Sequence, residues 1–162
     1  MELLVVRHGI AENVSPTGVD ADRSLTDEGR ERVRDVVRGL RRMELSVERV
    51  LHSPWRRAAQ TAELLAPLAQ DARGEPLLVC DALAAPPGRA LLAELRGERL
   101  ALVGHEPWLS ALIAWLALGD PDAARGLEMR KASVAWLQGA PKPGGMVLRA
   151  LLPPLALAGP RD

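Results

Sequence analysis

The sequence is poor in cysteine, in net charge and in long hydrophobic runs, and each shortage removes a class of protein. Cys80 is the single cysteine, so no disulfide can form within the chain. Acidic and basic side chains number 21 each, so no overall positive charge favours nucleic acid or a membrane surface as partner. The most hydrophobic region, 100–118, is interrupted at 104–107, and its segments are shorter than the ~20 residues of a membrane span.

The remaining composition predicts one domain in a reducing compartment. A length of 162 residues fits a single domain with a substantial core. Glu2 stands where a secretory signal carries basic residues, and the first apolar stretch ends after four residues, at Arg7. We therefore expect a cytoplasmic protein with no membrane partner and no nucleic-acid partner. Its oligomeric state stays open.

Apolar runs alternate with helical patterns along the chain. Strands are predicted at 2–7, 47–52, 76–80 and 100–103, and helices at 27–42, 53–68, 87–95 and 107–118. Two further strands, 132–137 and 146–152, flank a turn rich in Gly and Pro and predict a hairpin. The fold class is therefore a single-domain α/β three-layer sandwich. We expect a mostly parallel sheet with helices on both faces and an antiparallel edge near the C-terminus, over a domain 1–152 with a loose tail 153–162.

Chemistry-bearing side chains follow three of the predicted strands. His8 ends the first strand within Arg7-His8-Gly9, His105 ends the fourth, and Arg57 lies in the first turn after the second. Ligands of open α/β sheets bind beyond the carboxyl ends of the strands. A neutral imidazole can attack phosphorus while arginines neutralise the phosphoryl oxygens. Taken alone, a strand-end histidine is more often a hydrogen-bonded turn residue, but the matching positions favour a phosphate pocket.

Other phosphate chemistries do not fit the sequence. A cysteine phosphatase needs an arginine six residues beyond its cysteine, and Pro86 stands there after Cys80. The chain has no phosphate-binding P-loop motif, and the three histidines lack metal-ligand spacing. We therefore expect a mechanism with no cofactor and no metal. The four tryptophans are expected to be packing residues.

Four motifs resemble those of the histidine phosphatase superfamily, which has the phosphoglycerate-mutase-like fold. They occur in the family's order and cover most of the chain: Arg7-His8-Gly9, Leu25-Thr26-x-x-Gly29, Ser53-Pro54-x-x-Arg57-x-x-Gln60-Thr61 and Gly104-His105-x-Pro107. The short length, the segment 20–26 and the run 53–57 are similar to the compact SixA-type phosphohistidine phosphatases.

The resemblance implies roles for the site residues. His8 is then the phosphorylated nucleophile, Arg7 and Arg57 hold the phosphoryl oxygens, and a cationic His105 completes the pocket. Arg23 is a further candidate for phosphate contact. Its alternative is a solvated arginine tethered to a neighbouring aspartate at 20 or 22.

The general acid is the least defined part of the site. Asp81, after the third predicted strand, matches the place where mutase-like and phosphomonoesterase members carry a carboxylate. Glu12 and Glu106 are further candidates, although Glu106 also suits the start of the following helix. A fourth reading needs no strong acid, because the nitrogen of phosphohistidine leaves more readily than an alkoxide.

The sequence therefore predicts a metal-independent phosphatase that acts through a phosphohistidine on His8. Few residues remain for a large lid, so we expect an open cleft that admits phosphohistidine in a protein partner. One alternative is a phosphomonoesterase or mutase acting on small phosphorylated metabolites. A second alternative is a phosphate-binding module without catalysis.

Overall fold

The computed structural model describes residues 1–69 and 74–159, whose strands form one six-stranded sheet. The strand order is β3-β2-β4-β1-β5-β6. The first four in this order are parallel, whereas β5 is antiparallel to both β1 and β6. The strands are β1 (Glu2–Arg7), β2 (Arg49–His52), β3 (Leu77–Val79), β4 (Arg99–Gly104), β5 (Val134–Gly139) and β6 (Met146–Leu152). The mostly parallel sheet with an antiparallel edge is confirmed.

Helices cover both faces of the sheet. They are α1 (Asp27–Arg42), α2 (Arg56–Leu65), α3 (Arg89–Glu94), α4 (Trp108–Leu118) and α5 (Pro154–Leu157). One core cluster joins a face of the sheet to α1, α2 and α5, and a second joins the other face to α3 and α4. Each face of β1 contributes to a different cluster, which is why its apolar residues are consecutive. None of the helices in the described ranges is long and apolar enough to cross a membrane.

The pairing of β1 with β4 positions the site. The two strands run parallel and in register, from Glu2 opposite Arg99 to Arg7 opposite Gly104. The residues that follow, His8 and His105, therefore leave the sheet side by side at its carboxyl edge. The backbone N–H of His8 continues this pairing by donating to the Gly104 carbonyl at 3.2 Å.

The start of α1 explains the motif Leu-Thr-x-x-Gly. Thr26 is the N-cap, and its Oγ1 accepts a hydrogen bond from the backbone N–H of Gly29 at 2.9 Å. A Cβ atom on Gly29 would lie 2.0 Å from the carbonyl oxygen of Ile10. Only glycine therefore lets α1 approach the loop that follows the nucleophile candidate.

The structure corrects two boundaries. The second helix was expected over 53–68, but α2 begins at Arg56 and ends at Leu65, where a 3₁₀ turn replaces it. Residues 154–157, expected in a loose tail, form α5 instead. Leu157 is buried against α1, and its carbonyl accepts a hydrogen bond from Arg42 Nη2 at 2.7 Å. Residues 160–162 of that tail lie outside the described residues, and the domain boundary at 152 stays a prediction.

Candidate active site

His8 lies directly after β1 with its ring fixed in one tautomer. Its Nδ1 is 2.7 Å from the Gly9 carbonyl oxygen, which can only accept, so Nδ1 carries the proton. Its Nε2 then holds the lone pair and accepts a hydrogen bond from Arg57 Nε at 3.3 Å. Burial, opposed by the bond to Gly9, is the main cause that lowers the pKa of His8 from 6.5 to about 3. The ring is therefore neutral at pH 7, and Nε2 carries the lone pair that a nucleophile needs.

Arg57 is held in place on every side of its guanidinium. Its Nη1 donates to the Asp20 carbonyl at 2.7 Å, and its Nη2 donates to Asp20 Oδ2 at 2.9 Å. The guanidinium carbon lies 4.5 Å from the centre of the Trp55 ring, at cation–π distance. Arg57 is only 4% exposed, so its charge acts in a poorly solvated place. The hydrogen bond from Arg57 also lowers the pKa of Asp20, which keeps that carboxyl ionised.

Arg7 extends from the last position of β1 into the same region. Its Nη1 donates to the Met129 carbonyl at 2.7 Å, which fixes the direction of the side chain. Its Nε is buried and has no hydrogen-bond partner among the described residues. A buried donor without a partner is costly, so an oxyanion at this position would gain a strong charge-assisted hydrogen bond.

His105 packs beside His8 but does not carry the expected charge. The two ring centroids are 5.1 Å apart, and the His105 ring lies 4.4 Å from that of Trp55. Its Nε2 is hydrogen-bonded to Ser53 Oγ at 2.8 Å. Burial, followed by the positive charge of Arg57, lowers the pKa of His105 to about 4. The direction of this shift disfavours the expected cationic His105, because burial and the charge of Arg57 outweigh the carboxylate of Asp20, which raises the pKa.

These side chains line one pocket of about 210 Å³ at the carboxyl edge of the sheet. Its walls are formed by Arg7, His8, Ala11, Arg23, Trp55, Arg57, His105, Glu106, Trp108 and Lys131. Five of the six residues predicted for the site are thus brought together. The exception is Asp81, which is exposed at the start of a 3₁₀ turn after β3 and lies outside the walls of this pocket.

Arg23 combines the two roles that the sequence left open. Its Nε forms an ion pair with Asp20 Oδ1 at 2.8 Å, and its Nη1 donates to the Glu12 carbonyl at 3.1 Å. It also lines the pocket. Asp20 therefore links Arg23 to Arg57, and a single carboxylate orients two cations of the site.

The carboxylate at the pocket is Glu106 rather than Asp81 or Glu12. Its Oε1 is buried without a hydrogen-bond partner among residues 1–69 and 74–159. Glu12 is exposed and contributes only its backbone carbonyl, to Arg23. The sequence offered Glu106 as a candidate, and its buried, unpartnered oxygen together with its place in the pocket wall distinguishes it.

Three contributors to the site lacked a clear signal in the sequence. Asp20 was considered only as a tether for Arg23, and its contact with Arg57 spans 37 positions. Trp55 was expected to be a packing residue, yet its ring contacts both Arg57 and His105. Lys131 comes from a loop after α4, far along the chain from the motifs. Across the described ranges, no group of three or more His, Cys, Asp or Glu side chains could hold a metal ion.

Known proteins share this sequence pattern and this architecture. Residues 3–84 match the family model of the histidine phosphatase superfamily, branch 1. An uncharacterised protein of Picosynechococcus sp. (strain PCC 7002) is 37% identical over 146 residues, which cover 85% of each chain. The range that the family model matches, 3–84, contains Arg7, His8 and Arg57.

Solved structures with low sequence identity have the same fold. The structure of the protein histidine phosphatase SixA complexed with tungstate has a TM-score of 0.78 at 24% identity, covering 97% of this chain and 99% of that chain. The phosphoserine phosphatase of Entamoeba histolytica in complex with 3-phosphoglyceric acid has a TM-score of 0.68 at 15% identity, covering 96% and 98%. Together with the family match, these findings identify the chain: it belongs to branch 1 of the histidine phosphatase superfamily and is a phosphatase.

Proposed function

We propose that this phosphatase forms a phosphohistidine on Nε2 of His8 and that its substrate is a phosphohistidine in another protein. The observation that carries the proposal is the state of His8. Its ring is neutral, its Nδ1 is tied to Gly9, and its Nε2 lone pair faces Arg57. A neutral imidazole nitrogen can attack phosphorus, and a pure phosphate-binding module has no need of one.

The cations of the pocket support the proposed binding of a phosphoryl group. Arg7 offers its unpartnered Nε, and Arg57 already directs its Nε–H to His8 Nε2, the atom that would bond to phosphorus. Arg23 adds a third guanidinium that Asp20 already orients. Tungstate, bound in the SixA structure, is a tetrahedral oxyanion of the same kind as phosphate. Catalysis of phosphoryl transfer rests mainly on such positioning and charge stabilisation.

The reaction proceeds in two displacements at phosphorus. In the first, His8 Nε2 bonds to phosphorus while the P–N bond of the substrate breaks and the electron pair stays on the departing imidazole. The phosphorylated ring gains positive charge, which the Gly9 carbonyl stabilises through Nδ1–H. In the second, water bonds to phosphorus while the P–Nε2 bond breaks and its electron pair returns to Nε2. One water proton leaves on hydrogen phosphate, and the other passes to the solvent.

Proton supply to the leaving group favours a nitrogen substrate. An alkoxide must take a proton as it leaves, whereas an imidazole protonated on its other nitrogen departs as a neutral ring. Glu106 is the carboxyl within the pocket walls, and we propose it as the donor where one is needed. Asp81 stays a candidate from resemblance alone, with no place in this pocket.

Small phosphate esters are the alternative substrates. The Entamoeba phosphoserine phosphatase was solved with 3-phosphoglyceric acid, so this fold accommodates such compounds. A preference is measured by comparing kcat/KM for a phosphohistidine peptide with kcat/KM for phosphoserine and 3-phosphoglycerate. We expect the peptide to be preferred, and a strong preference for the esters would contradict the proposed substrate.

The nucleophile is tested by trapping the intermediate with ³²P-labelled substrate. We expect an acid-labile, alkali-stable adduct that is absent in His8→Asn. His52→Asn is the matched control, because His52 also stands at the carboxyl end of a strand, β2, and its Nδ1 also bonds to the next carbonyl, that of Ser53 at 2.9 Å. His52 does not line the pocket, so its variant should label normally. An acid-stable adduct, or labelling of His8→Asn, would refute the mechanism.

A further inference from the structure

A groove adjoins the phosphate pocket. It has a volume of about 420 Å³, twice that of the pocket, and the two share Arg7 and Lys131. The principal side chains along it are Arg7, Ile10, Arg32, Arg130, Lys131 and Leu155. We call it the basic groove. A substrate whose phosphoryl group is bound at His8 can therefore extend past Lys131 into the basic groove without leaving the surface.

The basic groove concentrates positive charge in a chain whose formal net charge is zero. Four cations line it against one carboxylate, that of Glu128. Two of these cations have exposed ion pairs: Arg32 with Glu28 at 2.8 Å, and Arg130 with Glu128 at 3.6 Å. Such solvent-exposed pairs are weak and exchange easily with an incoming anion. Lys131 forms no ion pair with any residue in the described part of the chain.

The loop that carries Lys131 is fixed to the catalytic strand end. The backbone N–H of Ala132 donates to the carbonyls of both Arg7 and His8 at 3.1 Å, and the Met129 carbonyl accepts from Arg7. Ala132 has φ 63°, a left-handed conformation that costs a non-glycine residue about 1–2 kcal/mol. The residue is nevertheless buried and doubly bonded. The position of Lys131 is thus set before substrate arrives.

The far wall of the basic groove is apolar and comes from the end of the chain. Leu155 is 77% exposed on α5, although Leu157 on the same helix is buried against α1. Ile10 and Pro153 lie beside it in the groove. A small polar metabolite has no apolar group that would gain from contact with this wall. A polypeptide presents acidic and apolar side chains together.

We propose that the basic groove binds an acidic segment of the protein that carries the phosphohistidine, a proposal that rests on the proposed function. A carboxylate of that segment pairs with Lys131 and Arg130, and a neighbouring apolar side chain packs on Leu155. The groove thereby selects among phosphohistidine proteins by the charge of the residues flanking the phosphorylated one.

The test uses three phosphohistidine peptides that differ only in their flanking residues, which are glutamate, glutamine or lysine. We expect kcat/KM to fall in that order, with a step of about two- to fivefold for each exposed charge contact. The order should flatten as salt is raised, because exposed charges are screened. Arg130→Glu should reverse the order between the glutamate and lysine peptides.

Arg125→Glu is the matched control. Arg125 is exposed and lies outside both the pocket and the basic groove, yet its substitution changes the net charge equally. The variant should keep the wild-type order of the three peptides.

Leu155→Ser should raise KM for a glutamate peptide with a flanking leucine more than for one with a flanking serine.

The possible failures are distinguishable. If all three peptides are hydrolysed equally, the basic groove does not select acidic segments, and the proposed function stands. If Arg125→Glu shifts the order as much as Arg130→Glu does, the effect is one of net charge and the groove proposal is overturned. If phosphoserine is hydrolysed and no phosphohistidine peptide is, both proposals fail.

Discussion

Acidifying the solution should destabilise the protein through the two buried imidazoles that line the pocket. His8 and His105 have pKa values of about 3 and about 4 in the folded chain, below the ordinary value of 6.5 that the unfolded chain regains. Between these values the unfolded state binds more protons than the folded state. The free energy of unfolding is therefore highest above pH 6.5 and falls as the pH is lowered through this window.

The size of the effect follows from the proton occupancies at pH 5. An ordinary histidine is then about 97% protonated, whereas a group of pKa about 3 is about 1% protonated. Proton binding to the unfolded state then lowers the free energy of unfolding by about 2 kcal/mol for His8 and about 2 kcal/mol for His105. The sum is a large part of the 5–15 kcal/mol by which domains are ordinarily stable.

Urea unfolding followed by circular dichroism at pH 7, 6 and 5 measures this loss. Carboxylates also contribute to the pH dependence, so the informative quantity is the difference between variants. His8→Gln and His105→Gln should each remove about half of the histidine contribution, leaving a shallower fall from pH 7 to pH 5. If both variants lose as much stability on acidification as the wild type does, the imidazoles are not buried in neutral form and the reasoning is refuted.

Two further predictions concern turnover. Arg57→Ala should slow kcat by about 10²–10³, the scale of one preorganised donor, while Arg56→Ala, the exposed neighbour outside the pocket, should stay within about threefold of wild type. A loss below about threefold for Arg57→Ala would remove that residue from catalysis. Glu106→Gln should slow phosphoserine hydrolysis by about 10²-fold or more and phosphohistidine hydrolysis by less, because the alkoxide needs the proton. Asp81→Asn is the control for Glu106→Gln, because Asp81 lies outside the pocket. Equal losses on both substrates for Glu106→Gln would contradict proton donation by Glu106.

Local patterns were enough to predict the sheet and the strand-end residues. The consecutive apolar residues of β1 and β4 identify strands buried on both faces, and parallel order brings their ends together. His8, Arg57 and His105 could be placed in one pocket on this basis. Boundaries were accurate to two residues for most elements because caps such as Thr26 have a specific local chemistry.

Features that depend on contacts between residues far apart along the chain could not be predicted from the sequence. The charge of His105 depends on burial by neighbouring layers, which no local motif encodes. The composition of α5 is typical of a loose tail. This short helix forms because Leu157 packs on α1 against Gly39. Lys131 lines the pocket from a loop in which the next residue, Ala132, has a left-handed backbone conformation that alanine rarely adopts.

The matched ladder between β1 and β4 makes the spacing of His8 and His105 a by-product of core formation. Sliding β1 by one residue would turn Leu4 and Val6 from their own core cluster to the opposite one, at a cost spread over the whole interior. The same interlocking of hydrophobic layers therefore fixes the distance between His8 and His105. Substitutions on the exposed faces of the helices can accumulate without changing that distance, because the buried residues of the sheet determine it.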